Sequence, residues 1–350
     1  MTSKKKFSLR AVFKVGISSL AILITLLLLA VILFYLWAGS STLAEDKLAE
    51  IITFFNPPPS QAEQKTFTVM TYNIGYLSGM TNNQPVIRPK KIFFENNMNT
   101  FLHLLNEIQP DFLGFQEIDF HSRRSYDIDQ MRTIAERAGY AYAARAVNWD
   151  KRYVPFPYWP PAVHFGRMLS GQAVLSRWPI LAAQRIVLQK PQNSPFYYNA
   201  FYLDRLVQAV KIKAAHREIV ILNIHLEAFD RETRENQAKK VLDIYRSYQD
   251  RFPTLIIGDF NSVPPKAPQK KNFLDEPETD FSHDQTLQLF LREPGLSAAD
   301  LTSLTFPTLH PTRKLDYIFY SPEKIELLRT FVLGINSSDH LSVAMQFSIK

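Results

Sequence analysis

Between Val15 and Ala38 the chain carries no charged side chain, and that feature constrains everything built around it. At about 1.5 Å of rise per residue, a helix of this length crosses a hydrocarbon core of roughly 30 Å. Lys4, Lys5, Lys6, Arg10 and Lys14 precede the stretch, and Tyr35 and Trp37 close it, where amphipathic rings favour a membrane interface. The cationic flank predicts a cytoplasmic N-terminus with the remainder of the chain across the membrane. A cleaved signal peptide is the competing reading. Its apolar region normally runs about 7–15 residues, and the one small-residue cleavage context here is Ala38-Gly39-Ser40. The expected organisation is a basic tail over 1–14, a transmembrane helix over 15–38, a stalk over 39–65 and a single globular domain over 66–350. Asn56-Pro57-Pro58-Pro59 would stiffen the stalk towards an extended polyproline conformation.

The formal net charge of +7 invites a nucleic-acid reading, but its distribution argues the other way. The five cations before the apolar span precede the first acidic residue, Glu45, and leave the rest of the chain only slightly basic. Such a domain lacks the electrostatic footprint of a protein that grips a long polyanion. The chain has no cysteine, which excludes disulfides, thiolate metal sites and a Cys nucleophile together.

Past Thr66, β-branched and aromatic runs alternate with amphipathic segments. TFTVMTYNI, FLGFQEI, GQAVLS, LVQAVKIKA, EIVILNIHL, TLIIGDF, LDYIFYS and LSVAMQFSI predict strands, and Phe93 to Glu107, Asp129 to Ala138 and Arg231 to Tyr248 predict helices. Several strands are apolar on both faces. That pattern predicts an α/β fold of two packed sheets covered by helices.

Against this apolar background the polar residues are conspicuous. Asn73, Glu117, His225, Asp259 with Asn261, Asp316, and Asp339 with His340 each interrupt, or directly follow, a run of Val, Ile, Leu and Phe. Carboxylates there are costly unless paired or bound to metal. Asp259 and Asn261 are two residues apart, so on an extended chain they face one side; as an isolated pair they would equally suit a turn. His225 taken alone reads as a hydrogen-bonded core residue. Asp316 needs a partner, and His340 is the natural one, since a carboxylate on one ring nitrogen fixes the tautomer and favours the charged imidazole.

In this order, Thr71-Tyr72-Asn73, Gln116-Glu117, Ser170 to Arg177, Asn223-Ile224-His225-Leu226, Gly258-Asp259-Phe260-Asn261, Leu315-Asp316-Tyr317-Ile318 and Ser338-Asp339-His340 resemble the endonuclease/exonuclease/phosphatase, or DNase I-like, superfamily. The resemblance runs from Thr66 to Lys350. It implies a four-layer sandwich of two mixed sheets flanked by helices, here preceded by one transmembrane helix, and a metal-dependent phosphoric ester hydrolase. It further implies Glu117 as principal Mg²⁺ ligand, with Mn²⁺ able to substitute, and Asn73 and Asp339 completing the metal site. Asp259 would orient and deprotonate water, Asn261 and His225 would donate to phosphate oxygens, and His340, held by Asp316, would stabilise the transition state.

The segment from Arg145 to Met168 carries Trp149, Tyr153, Phe156, Tyr158, Trp159 and Phe165. It reads as a packed loop or as an amphipathic rim at lipid headgroup level. His121, Arg123, Arg124, Trp159, His164 and Arg167 are candidates for substrate binding. With the anchor and the near-neutral domain, these features favour a lipid or lipid-linked phosphodiester and a branch resembling glycosylphosphatidylinositol-lipid remodelling factors. The expected partners are the bilayer and that substrate, with nucleic acid ranked below them and no protein partner. An extracytoplasmic nuclease and an inactive docking module are the alternatives.

Overall fold

The computed structural model describes residues 9–56, 63–84 and 87–350. Lys4, Lys5 and Lys6 of the cationic flank, and the Pro57-Pro58-Pro59 run, lie outside the described residues. The uncharged stretch lies in one helix, α1 (Leu9–Gly39), whose apolar side chains from Val12 to Trp37 are exposed. By length and composition α1 can cross a membrane, a property it shares with a signal sequence.

Thirteen strands follow among the described residues: β1 (Ala49–Thr53), β2 (Thr66–Asn73), β3 (Phe112–Asp119), β4 (Tyr142–Val154), β5 (Gly166–Ser176), β6 (Ile180–Val187), β7 (Leu206–Ala214), β8 (Arg217–His225), β9 (Thr254–Asp259), β10 (Ser297–Ala298), β11 (Asp316–Tyr320), β12 (Ile325–Leu333) and β13 (Ser342–Ile349). They form a seven-stranded sheet, β1-β4-β5-β3-β2-β13-β12, and a six-stranded sheet, β10-β11-β9-β8-β7-β6. Both are mixed, with β2 parallel to β3 and β8 parallel to β9. The helices are α2 (Lys91–Ile108), α3 (Gln130–Ala138), α4 (Arg231–Gln249) and α5 (Thr286–Leu291).

Burial of both faces explains the near-continuous apolar runs. Val69, Phe112, Ile221, Ile257 and Met345 pack in the layer between the sheets. Phe101 and Leu105 of α2 and Ile134 of α3 cover the outer face of the larger sheet; Val241 and Tyr245 of α4 and Phe290 of α5 cover the smaller. Two mixed sheets flanked by helices is the architecture expected from the sequence. Gly258 shows how tightly the smaller sheet is drawn together: φ is +141°, and a Cβ there would stand 1.9 Å from the Ile224 carbonyl oxygen. The close approach that this glycine permits is therefore to neighbouring backbone.

The segment read as a stalk is corrected by the structure. Residues 49–53 form β1, the edge of the larger sheet, with Ile51 opposite Ala144 of β4. Asp150 of β4, itself buried, accepts hydrogen bonds from the backbone N–H groups of Thr42 and Leu43, both at 2.8 Å, and from the Thr42 hydroxyl at 2.6 Å. The segment is short and polar enough to read as a linker, yet β4 offers it an open edge, and edge pairing is a tertiary opportunity that local sequence does not display.

Candidate active site

The parallel pairs bring the polar residues to one end of the sandwich. Asn73 ends β2, His225 ends β8 and Asp259 ends β9, and the register sets His225 against Asp259 and Asp316 against Asp259. His340 enters from the turn before β13, which runs antiparallel to β2. Glu117 sits where the β3–β5 register shifts between Phe115 and Ile118, and its φ of +52° turns the side chain out of the alternation. Below these residues a buried amide network ties the sheets together: Gln116 donates to Asn223 at 2.6 Å, and Asn223 donates to Gln208 at 3.1 Å.

Asn73 is the hub of the site. Its amide donates to Asp259 Oδ2 at 3.0 Å and to Glu117 Oε1 at 3.5 Å, and lies 3.4 Å from His340 Nε2. His340 Nδ1 meets Asp316 Oδ2 at 2.9 Å, and its Nε2 lies 3.8 Å from Asp259 Oδ2. His225 Nε2 is 3.5 Å from Asp259 and 3.8 Å from Glu117. Asn261 has φ +47°; its N–H donates to Asp259 Oδ1 at 2.8 Å and its side chain to the Leu226 carbonyl at 2.9 Å.

Electrostatics divides the two histidines. Burial opposes charge on His340, but Asp316 and Asp259 outweigh it and carry its pKa up to about 10. Burial, with Arg205 and His340 nearby, pushes His225 well below the ordinary imidazole value. One ring is thus a fixed cation and the other neutral at pH 7. Burial raises Asp259 to about 7, against the lowering influence of His340. Burial likewise raises Asp339 to about 6, with His340 again opposing and Glu117 assisting.

Two groupings suit a cation. Asp259, Asp316 and His340 offer ligand atoms within 4.8 Å of one another. Glu117 and Asp339 form the second, bridged by Asn82, whose amide donates to Glu117 Oε2 at 3.1 Å and to Asp339 Oδ2 at 3.2 Å. An amide N–H₂ standing between two carboxylates marks a place where positive charge is wanted, and the surrounding donors are hard oxygens that suit Mg²⁺.

The proposed substrate-binding residues separate. Arg124 is built into the structure rather than presented to a ligand: it pairs with Asp119 at 3.1 Å and lies 3.0 Å from the centre of the Tyr76 ring. Arg123 donates to the His164 carbonyl at 3.3 Å, and His164 Nδ1 lies 2.9 Å from the Tyr153 hydroxyl. Trp159, Arg167 and His121 are exposed. Sequence reasoning missed Asn82 and Arg205. Arg205 is buried, lies 3.6 Å from Glu227 Oε2, and its Nε and Nη1 have no hydrogen-bond partner among the described residues. Its position directly before the apolar strand β7 was the available signal. Asn82 lies in the short 3-10 turn Met80–Asn83, with no pattern to betray it.

The sequence profile of the "Endonuclease/Exonuclease/phosphatase family" matches residues 70–340. Among solved structures, an endonuclease/exonuclease/phosphatase from Beutenbergia cavernae aligns with 20% identity and a TM-score of 0.58, covering 82% of this chain and 72% of that one. The human Nocturnin catalytic domain with bound sulfate anion aligns at 18% and 0.54, over 89% of this chain and 100% of that one. A humanized D. rerio TDP2 aligns at 13% and 0.54, over 81% and 100%. No curated protein matches. The family match overturns the ranking of nucleic acid below a lipid-linked substrate, because the family's description names endonucleases and exonucleases beside phosphatases and no lipid-directed activity. The narrower likeness to glycosylphosphatidylinositol-lipid remodelling factors finds no support in these matches.

Proposed function

Because this chain belongs to the endonuclease/exonuclease/phosphatase family, we propose that it is a metal-dependent phosphoesterase that hydrolyses a nucleic-acid phosphodiester, held by α1 with its catalytic domain outside the cytoplasm. The observation that carries the chemistry is the chain Asp316–His340–Asp259–Asn73–Glu117, in which a fixed cation, a basic carboxylate and a hard-oxygen site converge.

Asp259, raised to about 7 by burial, is basic enough to take a proton from water as that water attacks phosphorus. The Asn261 N–H holds its other oxygen, leaving Oδ2 directed at the cleft. His340, kept protonated and oriented by Asp316, donates to a non-bridging phosphate oxygen as charge accumulates there. His225, neutral and 3.5 Å from Asp259, contributes a second donor on the same side. Mg²⁺, held by Glu117 with Asn73 and Asp339, would supply Lewis-acid neutralisation of the leaving oxygen. Arg205, buried behind His225, adds positive potential to the phosphate position.

Hydrolysis of single-stranded DNA, duplex DNA, RNA and bis-p-nitrophenyl phosphate should be measured with Mg²⁺ and with EDTA. Cleavage of nucleic acid that EDTA abolishes is the expected result; no hydrolysis of any of the four rejects the proposal. The variants then separate the roles. Glu117→Gln should recover in part at high Mg²⁺ or with Mn²⁺, which binds oxygen sites more tightly. His340→Ala should lose about 10²–10³ in rate without such recovery, and Asp259→Asn should be at least as severe. Recovery of His340→Ala and Asp259→Asn without recovery of Glu117→Gln would place the cation at Asp259, Asp316 and His340 instead.

A further inference from the structure

The last turn of α1 does not end in a free tether. Phe34 and Trp37 pack on Tyr153 of β4, with ring centroids 5.8 and 6.4 Å apart, and Tyr35 packs on Phe196 and Phe201 at 6.2 and 5.6 Å. Ala38 is fully buried, and Lys151 donates to the Gly39 carbonyl at 2.9 Å. Phe34 to Gly39 spans about 8 Å along the axis, so the domain face that holds these residues lies at the same depth as the end of the helix.

That face carries two aromatic loops. One is the tip between β4 and β5, where Tyr158 and Trp159 are 70% and 77% exposed; the other is the helical turn Phe196–Asn199, where Phe196 is 77% exposed. Both belong to the catalytic end of the sandwich, since Ser170 of β5 pairs with Asp119 of β3 and Leu206 of β7 with His225. The second loop leads directly into the cleft: Tyr198 stacks on Tyr202 at 5.0 Å, and the Tyr202 hydroxyl donates to Glu227 at 3.0 Å, beside Arg205.

We infer that this rim, with Trp159 and Phe196 foremost, rests in the headgroup layer of the bilayer that α1 crosses, so that the catalytic cleft opens along the membrane surface. The inference rests on the anchoring proposed above. Large exposed apolar patches are rare on free soluble surfaces. Trp and Tyr, with an apolar body and a polar tip, are the residues that the interface favours. Lys151 and the exposed Arg152 sit at the helix exit, Arg152 donating to the Ser40 hydroxyl at 3.0 Å, at the level of lipid phosphates. Exposed rings beside a phosphoesterase site could instead stack nucleic-acid bases. Their continuity with the apolar helix favours lipid.

The full chain, reconstituted into phosphatidylcholine vesicles with or without lipids brominated near the headgroup, provides the test through tryptophan fluorescence. Trp37→Phe keeps a ring against Tyr153 and removes the reporter on α1. This variant should still lose fluorescence to brominated lipid, and the loss should vanish in the Trp37→Phe, Trp159→Phe double variant. If Trp159→Phe, which keeps Trp37, is quenched while Trp37→Phe is not, the chain is anchored but the rim stands clear of the layer, and the inference falls alone. If neither single variant is quenched, the anchoring falls with it. Quenching of Trp37→Phe by oligothymidylate and not by brominated lipid would assign the rings to bases and likewise overturn the inference.

Discussion

At the scale of single residues, the site is governed by charge taken out of water. His340 keeps its proton because two carboxylates face it, and this has a consequence for stability. Its folded pKa of about 10 stands above an unfolded value of about 6.5, so the stabilisation is complete below about 6.5 and is lost as pH rises through 10. Asp259 and Asp339, raised to about 7 and about 6, act in the same direction at lower pH, because each favours the protonated fold. In EDTA the melting temperature should therefore fall between pH 6 and pH 10. His340→Asn should flatten the upper part of that decline; an unchanged slope in the variant would show that the imidazole is not held as a cation. Asp316 and His340 were legible as partners because an acid in an apolar strand demands one. The neutral state of His225 was not legible, since it follows from burial beside Arg205, a residue twenty positions away.

Among the elements, the instructive case is β1. Its pairing with β4, and the capping of Thr42 and Leu43 by Asp150, make residues 40–56 part of the domain. Hydrogen bonds to a charged group contribute about 1.5–3 kcal/mol each, and cutting the chain at Thr66 leaves the Asp150 carboxylate without three of them. A fragment beginning at Thr66 should unfold at a markedly lower temperature than one beginning at Ser40, and Asp150→Ala in the longer fragment should reproduce part of that loss. Equal melting curves for the two fragments would reduce β1 to an ornament of the sheet. Periodicity found α2, α3 and α4 to within a few residues, because each presents an apolar stripe to a sheet. It passed over β4, whose run YAARAVNWDKRYV mixes alanine with charge and so offers no continuous apolar or alternating pattern.

For the whole molecule, orientation is the open quantity with the largest consequence. If α1 anchors the chain as proposed, protease added outside intact cells or spheroplasts should remove the domain, the orientation that the cationic residues before α1 predict. Protection until lysis would reverse the topology. The near-neutral charge of the domain bears on substrate as well. A nuclease domain of so little net charge should bind its substrate through few phosphate contacts, so its affinity should fall only weakly with added salt.

What the sequence determined by itself was whatever local composition can encode: an apolar helix long enough for a bilayer, strands buried on both faces, and a set of acids, amides and histidines too costly to bury idle. Those are properties of a residue and its near neighbours. Only the tertiary structure decided that Asn73 would join Glu117 to Asp259, that Asn82 would bridge two carboxylates, that Arg124 would be spent on Asp119 and Tyr76, and that the supposed stalk would close a sheet. Each of these depends on which strand edges and loops meet in space, and register between distant segments is set by packing of the whole core rather than by any segment alone.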